Sequence, residues 1–177
     1  MYSDQYYILM VFVFMFGAII GSFVNVLIYR LPLGIEPVFI RSFCPKCKET
    51  IPFYRNIPIL TFLFQRGKCA NCQDPISWQY PIVEVLLALL SLLLFPKILG
   101  YAHIVKYLFL FSVLAAFVVH FIVDIRHQIL PNVINIYLGL IFLLYGLIYY
   151  SWQYWLIGFS VGLFFPPDFR NLSCVIA

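Results

Sequence analysis

The sequence predicts an all-α polytopic membrane protein, and three observations carry that prediction. The 177 residues are 64% hydrophobic, 20% aromatic and only 10% charged, more apolar surface than an ordinary soluble domain hides from water. Apolar runs close to the roughly 20 residues that cross a bilayer's hydrocarbon core recur at about 8–28, 82–99, 104–123 and 133–150. The cations are uneven: seven of the eleven Lys and Arg residues fall between the first two runs.

The first run is expected to remain as an anchor. The residues before it hold Asp4 but no Lys or Arg, and no small-x-small cleavage site follows. Cations in short loops stay on the cytoplasmic side. Arg30, Arg41, Lys46, Lys48, Arg55, Arg66 and Lys68 therefore make the loop after the first run cytoplasmic. Alternation puts the N-terminus and the turn around Lys97 outside and residues 124–132 inside; Lys97 and Lys106 oppose this, two against seven. The net charge of +4 follows from the same asymmetry, and with no nucleic-acid motif beside it, no nucleic-acid partner is expected. Pro32, Pro37, Pro45, Pro52, Pro58, Pro75 and Pro81 break the loop into turns and short strands rather than a long helix. A fifth apolar run near 154–165 is too short to span, and no internal repeat is evident. The expected division is a first transmembrane helix at 1–29, the loop at 30–81, further membrane helices at 82–165 and an atypical tail at 166–177.

Within the loop, "CPKC" at 44–47 and "CANC" at 69–72 form two C-x-x-C knuckles separated by 21 residues. Cys44, Cys47, Cys69 and Cys72 can close a tetrahedral zinc site, and the separation is near the usual range for such pairs. A loop of some fifty residues buries too little for a core of its own, so a metal cross-link supplies folding free energy that packing does not. Two structural disulfides are the alternative, disfavoured in a reducing compartment. Cys174 stands alone. The fold class is thus an all-α polytopic membrane protein with a small zinc-binding cytoplasmic loop, and the lipid bilayer is its first partner.

Ionisable groups at membrane depth are costly and usually functional. In "FIVDIRHQILPN", residues 121–132, Asp124 stands directly behind an apolar run, and helical spacing puts His120, Asp124 and His127 on one face. The plainer alternative pairs Asp124 with Arg126 or has it cap a helix starting near Pro131. Glu84, near the start of the second run, reads foremost as an acidic residue favoured by a helix N-terminus. A metal site from His120, Asp124 and His127 lacks a further ligand.

The segments "GAIIGSFVNVLIYRLP", "CPKC", "NIPIL", "RGKCANC", "ISWQYPIVE" and "VDIRHQILPN" occur in an order that resembles the type IV prepilin leader peptidases, from about residue 11 to 162. The resemblance implies a multi-pass aspartic endopeptidase of the bacterial inner membrane. Such an enzyme cuts the leader from prepilins or pseudopilins after a glycine on the cytoplasmic face. Many members also methylate the new N-terminus with S-adenosylmethionine. The family's first catalytic aspartate matches Asp124, its metal-type cysteines match Cys44, Cys47, Cys69 and Cys72, and its methylation-associated loop falls at 30–81.

Aspartic proteolysis needs two carboxyls sharing a proton: one deprotonates the attacking water while the other donates to the scissile carbonyl. In the family the second lies in Gly-x-Gly-Asp, which does not occur in this sequence. After "WLIGFSVGLFF" the chain turns to "PPDFRNLSCVIA", where Asp168 sits in a different setting and takes no catalytic role. A truncation or frameshift near residue 163 is the expectation. Two other classes of function stand beside proteolysis: a non-catalytic membrane scaffold binding pilin leaders or pilus assembly partners, and a proton relay or transporter using Asp124, His120 and Glu84. The absence of broken-helix repeats counts against the last.

Overall fold

A computed structural model describes residues 2–36 and 41–164. The tail at 166–177, with Asp168 and Cys174, lies outside the described residues. The chain is mostly helical and divides into two compact units, Met1–Leu138 and Gly139–Ala177.

Helix α1, Tyr2–Arg30, is apolar through most of its length. Such runs become helices in hydrocarbon because each backbone N–H and C=O must be satisfied within its own segment. Helix α1 packs mainly on α3, Gln79–Leu94, along a seam of small residues. A Cβ on Gly17 would meet the Leu87 carbonyl at 2.6 Å and the Ala88 Cα at 2.7 Å; one on Gly21 would meet the Glu84 Cα at 2.7 Å. One turn further on, Asn25 donates from Nδ2 to the Tyr80 carbonyl (3.0 Å), and its Oδ1 accepts from Gln79 Nε2 (3.2 Å). Gly17, Gly21 and Asn25 therefore form a single i, i+4, i+8 stripe. The spacing is that of close helix approach in membranes, where small residues let backbones touch.

Helix α4, Tyr101–His127, completes the packing of the first unit with the beginning of α5, Asn132–Tyr149. Val24, Ile28, Val83, Leu87, Phe111, Val119, Val123 and Ile134 make the core. Ser91 is fully buried there, and its hydroxyl is satisfied twice, by the Val13 carbonyl (3.0 Å) and the Tyr107 hydroxyl (2.6 Å). One short polar side chain thus ties α1, α3 and α4 together. In the second unit, α6, Trp152–Phe164, has 13 residues, and Trp155 packs so closely on Gly146 that an added Cβ would lie 2.5 Å from its ring.

Among the described residues, three helical segments are long and apolar enough to cross a membrane: Gln5–Leu33, Tyr101–His127 and Asn132–Tyr149. The run expected at 82–99 is instead the 16-residue α3, which stops at Leu94. Phe95 takes φ −64°, ψ 128°, the extended geometry that Pro96 imposes on the residue before it. The loop also differs from expectation. Among the described residues it holds no strand, only the isolated bridges Phe43–Thr50 and Lys68–Pro75, two 3-10 turns and one short helix, α2, Leu60–Phe64.

Candidate functional site

The two knuckles are built alike. In the first, Lys48 N–H donates to the Cys44 carbonyl, Cys44 N–H to the Glu49 carbonyl and Ile51 N–H to the Ser42 carbonyl, at 2.9, 3.0 and 2.7 Å. In the second, Gln73 N–H donates to Cys69, Cys69 N–H to Asp74 and Ile76 N–H to Gly67, at 3.0, 2.8 and 2.7 Å. Lys48 and Gln73, the residues after each second cysteine, both adopt φ of 60°. This is an internal structural repeat where none was evident in the sequence, because what repeats is the backbone hydrogen bonding, and the identical side chains are only the C-x-x-C and the isoleucines Ile51 and Ile76.

The repeat aims four thiols at one point. The Sγ atoms of Cys44, Cys47, Cys69 and Cys72 all lie within 4.8 Å of one another, and Cys44 and Cys72 approach to 3.9 Å. All four are free thiols, so the disulfide alternative is not realised. Tetrahedral zinc with bonds of about 2.3 Å needs sulfurs about 3.8 Å apart, so the cluster fits such an ion with shifts of about 1 Å or less. Its electrostatics are those of a ligand set. Backbone N–H groups of Cys72 and Asn71 donate to the Cys69 sulfur and draw its pKa down to about 7. The Asp74 N–H lowers that of Cys72, but desolvation and the bonds shared with the other thiols leave it raised to about 11. Lys46 and Asp74 bridge the knuckles at 3.7 Å, an exposed pair that contributes no more than about 1 kcal/mol.

Arg30, counted in the sequence as a loop cation, is only 3% exposed. It donates from Nη1 to the Glu36 carbonyl (3.2 Å) and from Nη2 to the Arg41 carbonyl (3.0 Å), and lies over the Phe43 ring at 5.6 Å. The end of α1 therefore organises the approach to the first knuckle. No sequence pattern announces this, since the acceptors are carbonyls. Glu84 is also buried, and its carboxylate accepts the Ile59 N–H at 2.7 Å across 25 residues of sequence. Ile59 has φ 64°, ψ −51°, a conformation a β-branched residue adopts only where its surroundings hold it.

Between the loop and the ends of α1, α3 and α4 lies a cavity of about 560 Å³. Asn25, Arg30, Glu84, Arg126 and His127 contribute polar groups, and Ile28, Phe62 and Ile76 contribute apolar walls. Asp124 stands in the last turn of α4, exposed, and its carbonyl accepts the Gln128 N–H at 2.8 Å as the chain turns left-handed at φ 52°. Among the described residues its carboxylate makes no ion pair with Arg126. His120, one turn deeper, keeps a buried Nδ1 without a hydrogen-bond partner. Helix α4 thus carries His120, Asp124 and His127 at the expected spacing, and only His127 of the three lines the cavity.

These features define a polytopic helical membrane protein with a four-thiolate loop that can hold a metal ion, set against the ends of its helices. Residues 15–98 match the Bacterial Peptidase A24 N-terminal domain. The chain is 40% identical over 121 residues to the prepilin leader peptidase/N-methyltransferase of Myxococcus xanthus (strain DK1622), covering 68% of this chain and 35% of that protein. It is 39% identical over 131 residues to that of Klebsiella pneumoniae (68% and 54%), and 31% identical over 183 residues to that of Legionella pneumophila (90% and 58%). Together these matches support the prepilin leader peptidase family for this chain. It spans between about a third and three-fifths of the length of these relatives. No solved structure matches significantly.

Proposed function

We propose that this chain acts in a membrane aspartic endopeptidase that removes the leaders of type IV prepilins or pseudopilins after a glycine, with Asp124 as one of two catalytic carboxyls. The observation that carries this is the position of Asp124: it ends a membrane helix within three residues of Arg126 and His127, which line the cavity beneath the four-thiolate loop. A carboxylate there meets a substrate at the membrane edge rather than within the bilayer. The excess of basic residues between the first two apolar runs supports placing loop, cavity and Asp124 on the cytoplasmic side of the inner membrane.

In such a pair one ionised carboxyl takes a proton from water while the protonated partner donates to the scissile carbonyl, and the titration belongs to the pair. Gly-x-Gly-Asp is absent from these residues, so the proposal assigns Asp124 alone. Zinc at Cys44, Cys47, Cys69 and Cys72 acts as a cross-link of the loop at 30–81, with all four positions taken by protein ligands as in structural sites. Methylation of the new N-terminus is the second activity proposed for the loop and helix ends. The cavity is in the size range of small-molecule sites, which supports S-adenosylmethionine as its cofactor.

The test supplies the second carboxyl. The chain is fused through α6 to a relative's segment bearing Gly-x-Gly-Asp, reconstituted, and incubated with a prepilin. Mass spectrometry of the product should show a new N-terminus directly after the leader glycine. A prepilin that binds but stays uncut would sink the peptidase reading in favour of a scaffold.

A further inference from the structure

Helix α2 and its flanks carry an unexplained surface. Leu63 is 64% exposed and Phe64 84%, with Leu60 and Ile57 also exposed and Trp78 at 69%. In a loop surrounded by water this would be a patch of large apolar side chains with nothing to cover it. We propose that α2 lies in the bilayer interface, with Leu60, Leu63 and Phe64 inserted among the lipid headgroups and the upper acyl chains. The occupant of this face is lipid, and the loop is held to the membrane at a third point besides its two ends.

Depth is the first support. The Ile59 N–H that begins α2 is bonded to Glu84, five residues inside α3, which is about 7.5 Å along the helix axis from Gln79. Helix α3 itself is only 16 residues, about 24 Å, against a hydrocarbon core of about 30 Å. Its N-terminal turns cannot stand well clear of the bilayer while its other end reaches the opposite face. A segment pinned to its second turn is therefore held at the boundary. Continuity is the second support: Phe62 packs at a tilt against Trp78, ring centroids 4.9 Å apart, which joins α2 to the residue before α3, and α3 presents Ile82, Leu86 and Leu89 as exposed apolar side chains. Trp78 and Tyr54 are of the type that collects at membrane interfaces. Charge is the third. Arg55, Arg66 and Lys68 flank α2, all exposed, and residues 50–73 contain no Asp or Glu, which suits an anionic headgroup layer.

The inference uses the membrane placement of α1 and α3 and none of the chemistry proposed above, so its test needs no activity. The native chain is placed in nanodiscs of phosphatidylcholine and phosphatidylglycerol containing a lipid with a diazirine near the headgroup end of its acyl chain. After photolysis and trypsin digestion, residues 56–66 form one peptide between Arg55 and Arg66. Its adduct yield should fall within threefold of that on peptides from α1. A yield tenfold or more below that value overturns the proposal, as do crosslinks from this peptide to a second copy in place of lipid. Glu84→Ala should lower the yield on this peptide at least threefold without changing that on α1; an unchanged yield would show that the carboxylate does not hold the depth.

Discussion

Replacing Gly21 by alanine should separate α1 from α3. The added Cβ would sit 2.7 Å from the Glu84 Cα and 3.1 Å from the Val83 carbonyl oxygen, against 3.4–4 Å for ordinary contact. The neighbours are backbone, so no side-chain rotation relieves the clash, and the axes must part by up to about 1 Å. That movement also stretches the Asn25–Tyr80 hydrogen bond one turn away. Overpacking of this kind costs about 1–3 kcal/mol. Alanine is the better helix former by about 1 kcal/mol, so the comparison needs a control that shares this gain. Gly139 supplies it, being mid-helix with nothing within 4 Å of an added Cβ. Gly21→Ala should be less stable than Gly139→Ala by about 1–3 kcal/mol in reversible unfolding from mixed micelles. Equal stability of the two variants would refute the close-packed seam.

Metal removal should act through the loop. Cys44→Ser should abolish stoichiometric zinc and open the segment at 42–76 to protease while leaving the helical circular dichroism largely intact, whereas Cys174→Ser should leave metal content unchanged. Proton release on metal binding should depend on pH through Cys69. At pH 8 a thiol with a pKa of about 7 has already lost most of its proton, while at pH 6 it gives one up to the metal. Calorimetry in buffers of different ionisation enthalpy should find about 0.8 more protons released per metal from this group at pH 6 than at pH 8, and affinity falling as pH falls. Gln73→Gly relieves a left-handed residue in the second knuckle and should leave metal affinity equal or higher, with stability raised by no more than about 1 kcal/mol in thermal unfolding of the metal-bound chain.

Much of the architecture was legible because it is written in local pattern. Hydropathy located α1, α4 and α5, and cysteine spacing found the four-thiolate cluster. The early end of α3 was also available, in Phe95–Pro96, but the apolar residues on both sides of it made 82–99 read as one run. The Gly17–Gly21 seam carried a G-x-x-x-G signal inside the very segment that marked the family, and a reading for helix approach would have picked it out. Arg30 and Glu84 were different. Each is satisfied by backbone groups far away or around a turn, so charge and helix position gave one of seven loop cations and a dipole partner where the structure has buried organisers of the loop. Likewise the repeat of the knuckles lies in hydrogen bonds and φ angles, which two dissimilar side-chain strings conceal.

The most direct test of Asp124 is the rate of prepilin cleavage by the Gly-x-Gly-Asp fusion, compared with the same fusion carrying Asp124→Asn, under conditions where both bind the leader equally. A catalytic carboxyl predicts a loss of at least about a thousandfold in kcat, equivalent to about 4 kcal/mol of barrier, with binding retained. Cleavage within tenfold of the parent would contradict it and leave Asp124 as an interfacial residue at the end of its helix.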